Sequence, residues 1–81
     1  MYFAYILLCA DGTLYTGYTN DTARREAMHN SGRGAKYTRS RLPVKLVYRE
    51  ELPSRSEAMK REAAIKKLTR EQKLELIGAA K

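Results

Sequence analysis

The sequence predicts a small α+β domain, a three-stranded antiparallel sheet flanked by three helices in the order ββαβαα. Three observations lead to it. Short aromatic and branched runs suited to strands stand at residues 2–9, 13–19 and 44–52. Helix-start signals stand just ahead of residues 22, 55 and 70. The connections are long, and no internal repeat, linker or low-complexity tract interrupts them, which suits one antiparallel sheet packed by helices.

Each element has its own warrant. Residues 2–9, YFAYILLC, read as a buried strand, with Cys9 a buried strand residue. Asp11-Gly12 is a two-residue hairpin signal, and Thr13 to Thr19 continue the sheet beyond it. Asn20 and Asp21 can each accept a backbone hydrogen bond, so a helix starts near Thr22. Gly32 and Gly34 end that helix, where a left-handed cap costs glycine little. Residues 33–41, RGAKYTRSR, read as an exposed loop. After Pro43, VKLVYREEL alternates as a third strand. Ser54 with Glu57, and Thr69 with Gln72, fit capping boxes for helices over about 55–67 and 70–78.

Length and charge narrow the function classes. At 81 residues the chain has room for one domain, expected to span residues 1–81. Hydrophobic residues make up 43%, enough for a small core and too many for a disordered basic tail. A single cysteine and a single histidine exclude a disulfide framework, a cysteine-rich zinc site and a multi-histidine metal site. No apolar run approaches the ~20 residues of a membrane span, and no signal-peptide pattern is legible, so the expected compartment is the cytoplasm. Sixteen Lys and Arg against nine Asp and Glu leave a formal charge of +7. That excess points to an anionic partner, most simply nucleic acid, without separating an enzyme from a binding module.

Five side chains could carry chemistry. Tyr5 and Tyr15 fall on consecutive strands of a hairpin and so lie near one another, though tyrosines also half-bury their rings in any sheet. Arg25 and His29 project from one helical face, close to Tyr15 and Tyr18; the plain alternative is a solvated basic face that includes Arg24 and Glu26. Glu62 lies inside the apolar stripe of Ala58, Met59, Ile65 and Leu68, with Ala63 and Ala64 beside it. A carboxylate there is costly unless it is paired or coordinates a cation, and an ion pair with Lys66 one turn on would also satisfy it. Arg33, Lys36, Tyr37, Arg39 and Arg41 set an aromatic among cations, a pattern suited to phosphate contact and base stacking as well as to a solubilising loop.

Tyr5-Ile6-Leu7 followed by Tyr15-Thr16-Gly17 resembles the paired strand motifs of the GIY-YIG nuclease family. Ala4 stands where the first motif has glycine, and Thr16 where the second has isoleucine. Arg25 ten residues after Tyr15, His29 fourteen after it, and Glu62 on a later helix fall at the family's spacing. The stretch 19–41 also looks like the small stand-alone members, similar in pattern to structure-specific nuclease subunits that act in DNA repair. The resemblance spans about residues 3–77.

That resemblance implies metal-dependent phosphodiester hydrolysis with one divalent ion, Mg²⁺ or Mn²⁺, held by Glu62. It makes Tyr5 and Tyr15 the motif tyrosines, Arg25 the catalytic arginine and His29 the position taken by His or Tyr. Tyr18 stands where some members have lysine, and segment 70–78 lacks the asparagine that others use. A tyrosine could act as general base only if nearby cations lowered its phenol from ~10, and Tyr15 is the expected participant. Two function classes follow: an endonuclease acting on DNA (single-stranded and branched forms included), or a non-catalytic nucleic-acid-binding module or accessory subunit that keeps the fold. DNA is favoured over RNA, with room for a protein partner that supplies specificity.

Overall fold

The most continuously apolar stretch of the chain becomes the middle strand. In the computed structural model, which describes residues 1–79, β1 (Tyr2–Leu8) lies between β2 (Leu14–Thr19) and β3 (Lys45–Leu52). Both pairings are antiparallel. Residues 80 and 81 of the expected domain span lie outside the described residues. Four helices follow the chain: α1 (Thr22–Asn30), the single turn α2 (Lys36–Arg39), α3 (Arg55–Lys66) and α4 (Arg70–Ala79). Among the described residues no helix is long and apolar enough to cross a membrane.

Because β1 is covered on both faces, its residues 4–7 are all buried, whereas a half-exposed strand would alternate. Ala4 and Ile6 point to one side, where they pack with Tyr48, Ile65 and Ile77 of β3, α3 and α4. Tyr5 and Leu7 point to the other, with Cys9 and Val44. The sheet is therefore a shared floor for two small cores.

Three details depart from the sequence reading, each for a physical reason. The hairpin loop has three residues, Ala10 to Gly12. Cys9 bonds Thr13 (2.8 Å), Gly12 N–H bonds the Cys9 carbonyl (2.9 Å), and Gly12 alone takes a left-handed φ of 85°. A two-residue turn of the primed type would force Asp11 left-handed as well. Gly32 does cap α1 with φ 83°, but Gly34 has no positive φ; its role lies in the site. Finally, the expected loop 33–41 contains α2, whose Thr38 is fully buried.

Local signals set the helix starts. Asp21 accepts from the Arg24 N–H (3.0 Å), Ser54 from Glu57 (3.2 Å), and Thr69 and Gln72 close a reciprocal capping box. Side chains one turn apart on α1 also seal the start of β3. Glu26 accepts from Leu46 N–H, while Asn30 both accepts from Val44 N–H and donates to its carbonyl. That leaves less of this edge open to pairing with another chain. Opposite Ile6 and Leu7, β3 carries one extra residue, since Ile6 faces Tyr48 and Leu7 faces Leu46.

Candidate active site

Tyr5 faces Gly17 across the β1–β2 ladder. The Tyr5 ring lies so close over the β2 backbone that a Cβ at residue 17 would stand 2.5 Å from the Tyr5 hydroxyl. Glycine is needed there because the phenol occupies the space a side chain would fill. Tyr15 is opposite Leu7 and so points to the same face as Tyr5.

His29 comes to the same place from α1. Far from lying on a solvated face, it is 2% exposed. Its Nε2 is 3.3 Å from the Tyr5 hydroxyl and its Nδ1 is 2.8 Å from the Thr38 hydroxyl. The Tyr15 ring packs against the imidazole at 5.4 Å between centroids, with no hydrogen bond between them. Gly34 lies directly under the imidazole, where any Cβ would collide with Nδ1. This close approach, rather than a cap, is what glycine at 34 permits.

Glu62 arrives from the opposite side of the sheet. The buried stripe of α3 is Ala58 and Ile65, seven residues apart, and Glu62 lies between them on the same stripe. Met59, Ala63 and Ala64, expected in or beside that stripe, are exposed, because the stripe is narrow and they lie to either side of it. Glu62 points into the cleft that also holds Tyr5, Tyr15, Arg25 and His29, a space of about 610 Å³ around the outer edge of β2. It also makes the expected ion pair with half-exposed Lys66, at 3.7 Å, so the cleft-facing position and the ion pair do not exclude one another.

The charges act in a definite direction. Burial pushes the Tyr5 hydroxyl far above the ordinary phenol range; Tyr15 and Glu62 add to this, and Arg25 opposes it. Tyr15 is also raised, by burial first and Glu62 second, with Arg25 again opposing. The chain's own cations therefore do not lower either phenol, contrary to what a tyrosine general base would need. His29 is held below its ordinary value of 6.5, by burial and then by Arg25, so its imidazole is neutral at pH 7.

The basic segment divides in two. Arg33 lines the cleft, and Lys36 and Arg39 are exposed beside it. Tyr37 stacks on Tyr15 (5.9 Å between centroids), and the Arg41 guanidinium lies over Tyr37 at 4.0 Å. Arg41 also donates to Asp11 (3.0 Å) and to the Tyr37 carbonyl (2.7 Å), which ties the segment to the hairpin. Arg24, by contrast, is exposed away from the cleft.

Sequence reasoning missed Arg55, Gly34 and Thr38. Arg55 lines the cleft and donates to the Tyr18 hydroxyl at 3.3 Å, so a cation does reach the position where Tyr18 replaces lysine. Its signal was available, since Arg55 precedes Glu62 by seven residues and shares its helical face. Thr38 and Gly34 carried no comparable pattern.

Residues 1–75 match the family model for the GIY-YIG catalytic domain. The chain belongs to the GIY-YIG family. That places it in a nuclease superfamily, whose partner class is nucleic acid. A UPF0213 protein of Streptococcus agalactiae is 59% identical over 75 residues, covering 93% of this chain and 85% of the relative. One from Halobacterium salinarum is 58% identical over 73 residues, covering 90% and 95%. The solution NMR structure of a UPF0213 protein from Bacillus halodurans aligns with a TM-score of 0.62 at 49% identity, over 98% of this chain and 85% of that one. A second NMR structure, from E. faecalis, gives 0.63 at 50% identity, over 96% and 83%. The GIY-YIG assignment covers the elements that build the cleft, from β1 through α3.

Proposed function

We propose that this GIY-YIG protein is a divalent-metal-dependent endonuclease that hydrolyses phosphodiester bonds of DNA, single-stranded and branched forms included. The observation that carries the reading is convergence. Tyr5, Tyr15, Arg25, His29 and Glu62 come from four elements on both sides of the sheet, and all line one cleft. A module that only bound nucleic acid would need the exposed cations but not a largely buried carboxylate facing two tyrosines.

Hydrolysis of a phosphodiester needs a water stripped of its proton, neutralised charge on the phosphoryl oxygens and relief for the leaving oxygen. Arg25 offers a planar donor fork to the non-bridging oxygens. Tyr5, with its hydroxyl disfavoured as a phenolate, works best as a relay. It accepts a proton from the attacking water while passing its own to Nε2 of His29, which is neutral and adjacent. The hydrogen-bond distance to His29 favours Tyr5 over Tyr15 for this role, and Tyr15 packs the imidazole in place. Exposed Arg33, Lys36 and Arg39 would hold flanking phosphates, with Tyr37, whose ring already meets Tyr15 and Arg41, bracing the segment that carries them.

The donor set fits a hard divalent cation such as Mg²⁺ or Mn²⁺. Glu62 is a carboxylate whose side chain is 20% exposed, opening to the cleft. Among the described residues no group of three or more His, Cys, Asp or Glu surrounds it. A cation held there by Glu62 alone would keep waters and phosphate oxygens as its other ligands, the habit of Mg²⁺. When bound, it would stabilise charge on the phosphate and the departing 3′ oxygen.

The deciding experiment incubates the purified protein with end-labelled single-stranded, duplex and flap DNA and with RNA, in Mg²⁺, Mn²⁺ or chelator. The expected result is metal-dependent product on DNA, suppressed by chelator. Product on RNA alone would change the substrate class. Binding without product on any substrate would replace the nuclease with a nucleic-acid-binding module.

A further inference from the structure

The proton relay above requires the lone pair of Nε2, not its proton, to face Tyr5. In neutral imidazole the hydrogen sits on one nitrogen only, and the partner of the other nitrogen decides which. In this protein that partner is Thr38, fully buried at the turn of α2.

The Thr38 hydroxyl has two close polar neighbours, His29 Nδ1 at 2.8 Å and the Ala35 carbonyl at 2.9 Å. It owns one hydrogen. The carbonyl has none, so the hydroxyl must donate to Ala35 for that contact to be a bond. The contact with Nδ1 is then a bond only if Nδ1 carries the hydrogen and donates to Thr38. The opposite tautomer would leave one of the two short contacts of the fully buried Thr38 hydroxyl without a proton, at the cost of an unpaired buried group.

We infer that Thr38 is a positioning residue, holding His29 as the Nδ1–H tautomer so that Nε2 receives the proton of the Tyr5 hydroxyl. The chain of donors runs from Tyr5 to His29 to Thr38 to the Ala35 carbonyl. Gly34 lets the Nδ1 side of the ring approach the segment that carries both Thr38 and Ala35. The role in turnover rests on the phosphodiesterase reading of the cleft, whereas the tautomer itself does not.

The test uses the full chain labelled with ¹⁵N. His29 is its only histidine, so imidazole nitrogen–proton correlations above pH 7 are unambiguous. Wild type is expected to show a protonated Nδ1 and an unprotonated Nε2. Thr38→Val keeps the shape but removes the acceptor, and should move the population toward Nε2–H. The same variant should lower kcat by roughly 10–100-fold with KM little changed, the scale for losing the group that orients a functional histidine. Thr38→Ser should restore both the tautomer and the rate. Should Thr38→Val fail to fold, Thr38→Ala takes its place in the same measurement. Nε2 protonated in wild type, or an unaltered tautomer in the variant, would overturn the inference. Because the spectra need no turnover, absence of cleavage on every substrate would sink the nuclease reading and leave the tautomer result standing.

Discussion

The two faces of the sheet are both buried, yet they are buried by different chemistry. Against α3 and α4 the contacts are apolar, built on Ala4, Ile6, Ile65 and Ile77. Against α1 and α2 the buried set includes Tyr5, His29 and Thr38, linked by hydrogen bonds. Both faces gain non-directional burial energy, the second through Leu7, Cys9 and Val44. The second also fixes a polar chain at the wall of the cleft. Glu62 is where the two meet, a carboxylate on the apolar side that reaches the polar one. Four of the five candidates, Tyr5, Tyr15, Arg25 and His29, thus come from the partly polar face, while the fifth reaches them from the apolar one.

The largest expected effect joins the faces. Glu62→Gln keeps helix propensity and shape but removes the charge a hard cation requires. Cleavage should vanish while substrate binding persists. Stability should move by no more than about 0.5 kcal/mol, since the pair with half-exposed Lys66 is long and of the i,i+4 kind. A Glu62→Gln protein cutting at the wild-type rate would separate the faces again.

Next comes Arg25→Lys, which keeps the charge on the polar face but loses the two-pronged contact. Turnover should fall by roughly 10²-fold, the loss typical of one positioned donor. Arg24→Lys, on the same helix but away from the cleft, should leave the rate unchanged, and matched rates for the two variants would remove Arg25 from the mechanism.

The polar face should also govern stability against pH. A lowered His29 means the unfolded chain takes up a proton first on acidification, so stability should fall as pH drops through about 6.5. Raised Tyr5 and Tyr15 mean the unfolded chain releases protons first in alkali, so stability should also fall as pH rises through 10. Chemical denaturation across pH 4–11 (approximately, spanning both limits) reads this out. His29→Gln should abolish the acid limb alone; an acid limb that survives in that variant belongs to other groups.

At the rim, Arg39→Ala should reduce the slope of log binding constant against log salt by about 0.7–0.9, one phosphate's worth of counterion. Arg41, the other arginine of the segment expected to contact nucleic acid, also has its guanidinium engaged with Asp11 and Tyr37. Arg41→Ala should therefore loosen the segment more than it flattens the slope, visible as faster amide exchange at residues 36–39. Equal slope changes for the two would place both on phosphates.

The smallest effect belongs to the apolar face. Thr16, paired with Ile6, buries a hydroxyl that has no hydrogen-bond partner among the described residues. Thr16→Val removes that unmet group at nearly constant shape and should stabilise the protein by about 1 kcal/mol, or ~4–8 °C in Tm for a domain of this size. A lower melting temperature would mean that the hydroxyl is satisfied in solution.

Much of this was legible in the chain. Strand positions and the helix caps at Asp21, Ser54 and Thr69 follow from local spacing, because capping and periodicity act within a few residues. The candidates Tyr5, Tyr15, Arg25, His29 and Glu62 rest on that spacing together with the resemblance to the GIY-YIG motifs. Gly17 carried a motif whose reason, the Tyr5 ring lying across it, needed the strand register. What only the tertiary structure decided depends on contacts between distant segments. Thr38 looked like part of an exposed basic loop, and nothing local says that its hydroxyl meets a histidine nine residues back. Arg55 meets Tyr18 across thirty-seven residues. The Tyr5 hydroxyl is hydrogen-bonded to His29 and the Tyr15 hydroxyl is not, a difference that follows from packing rather than from spacing. Sequence spacing brings such groups to one face, but hydrogen-bond direction is set only when packing brings the last acceptor, here the Ala35 carbonyl, within reach of the chain.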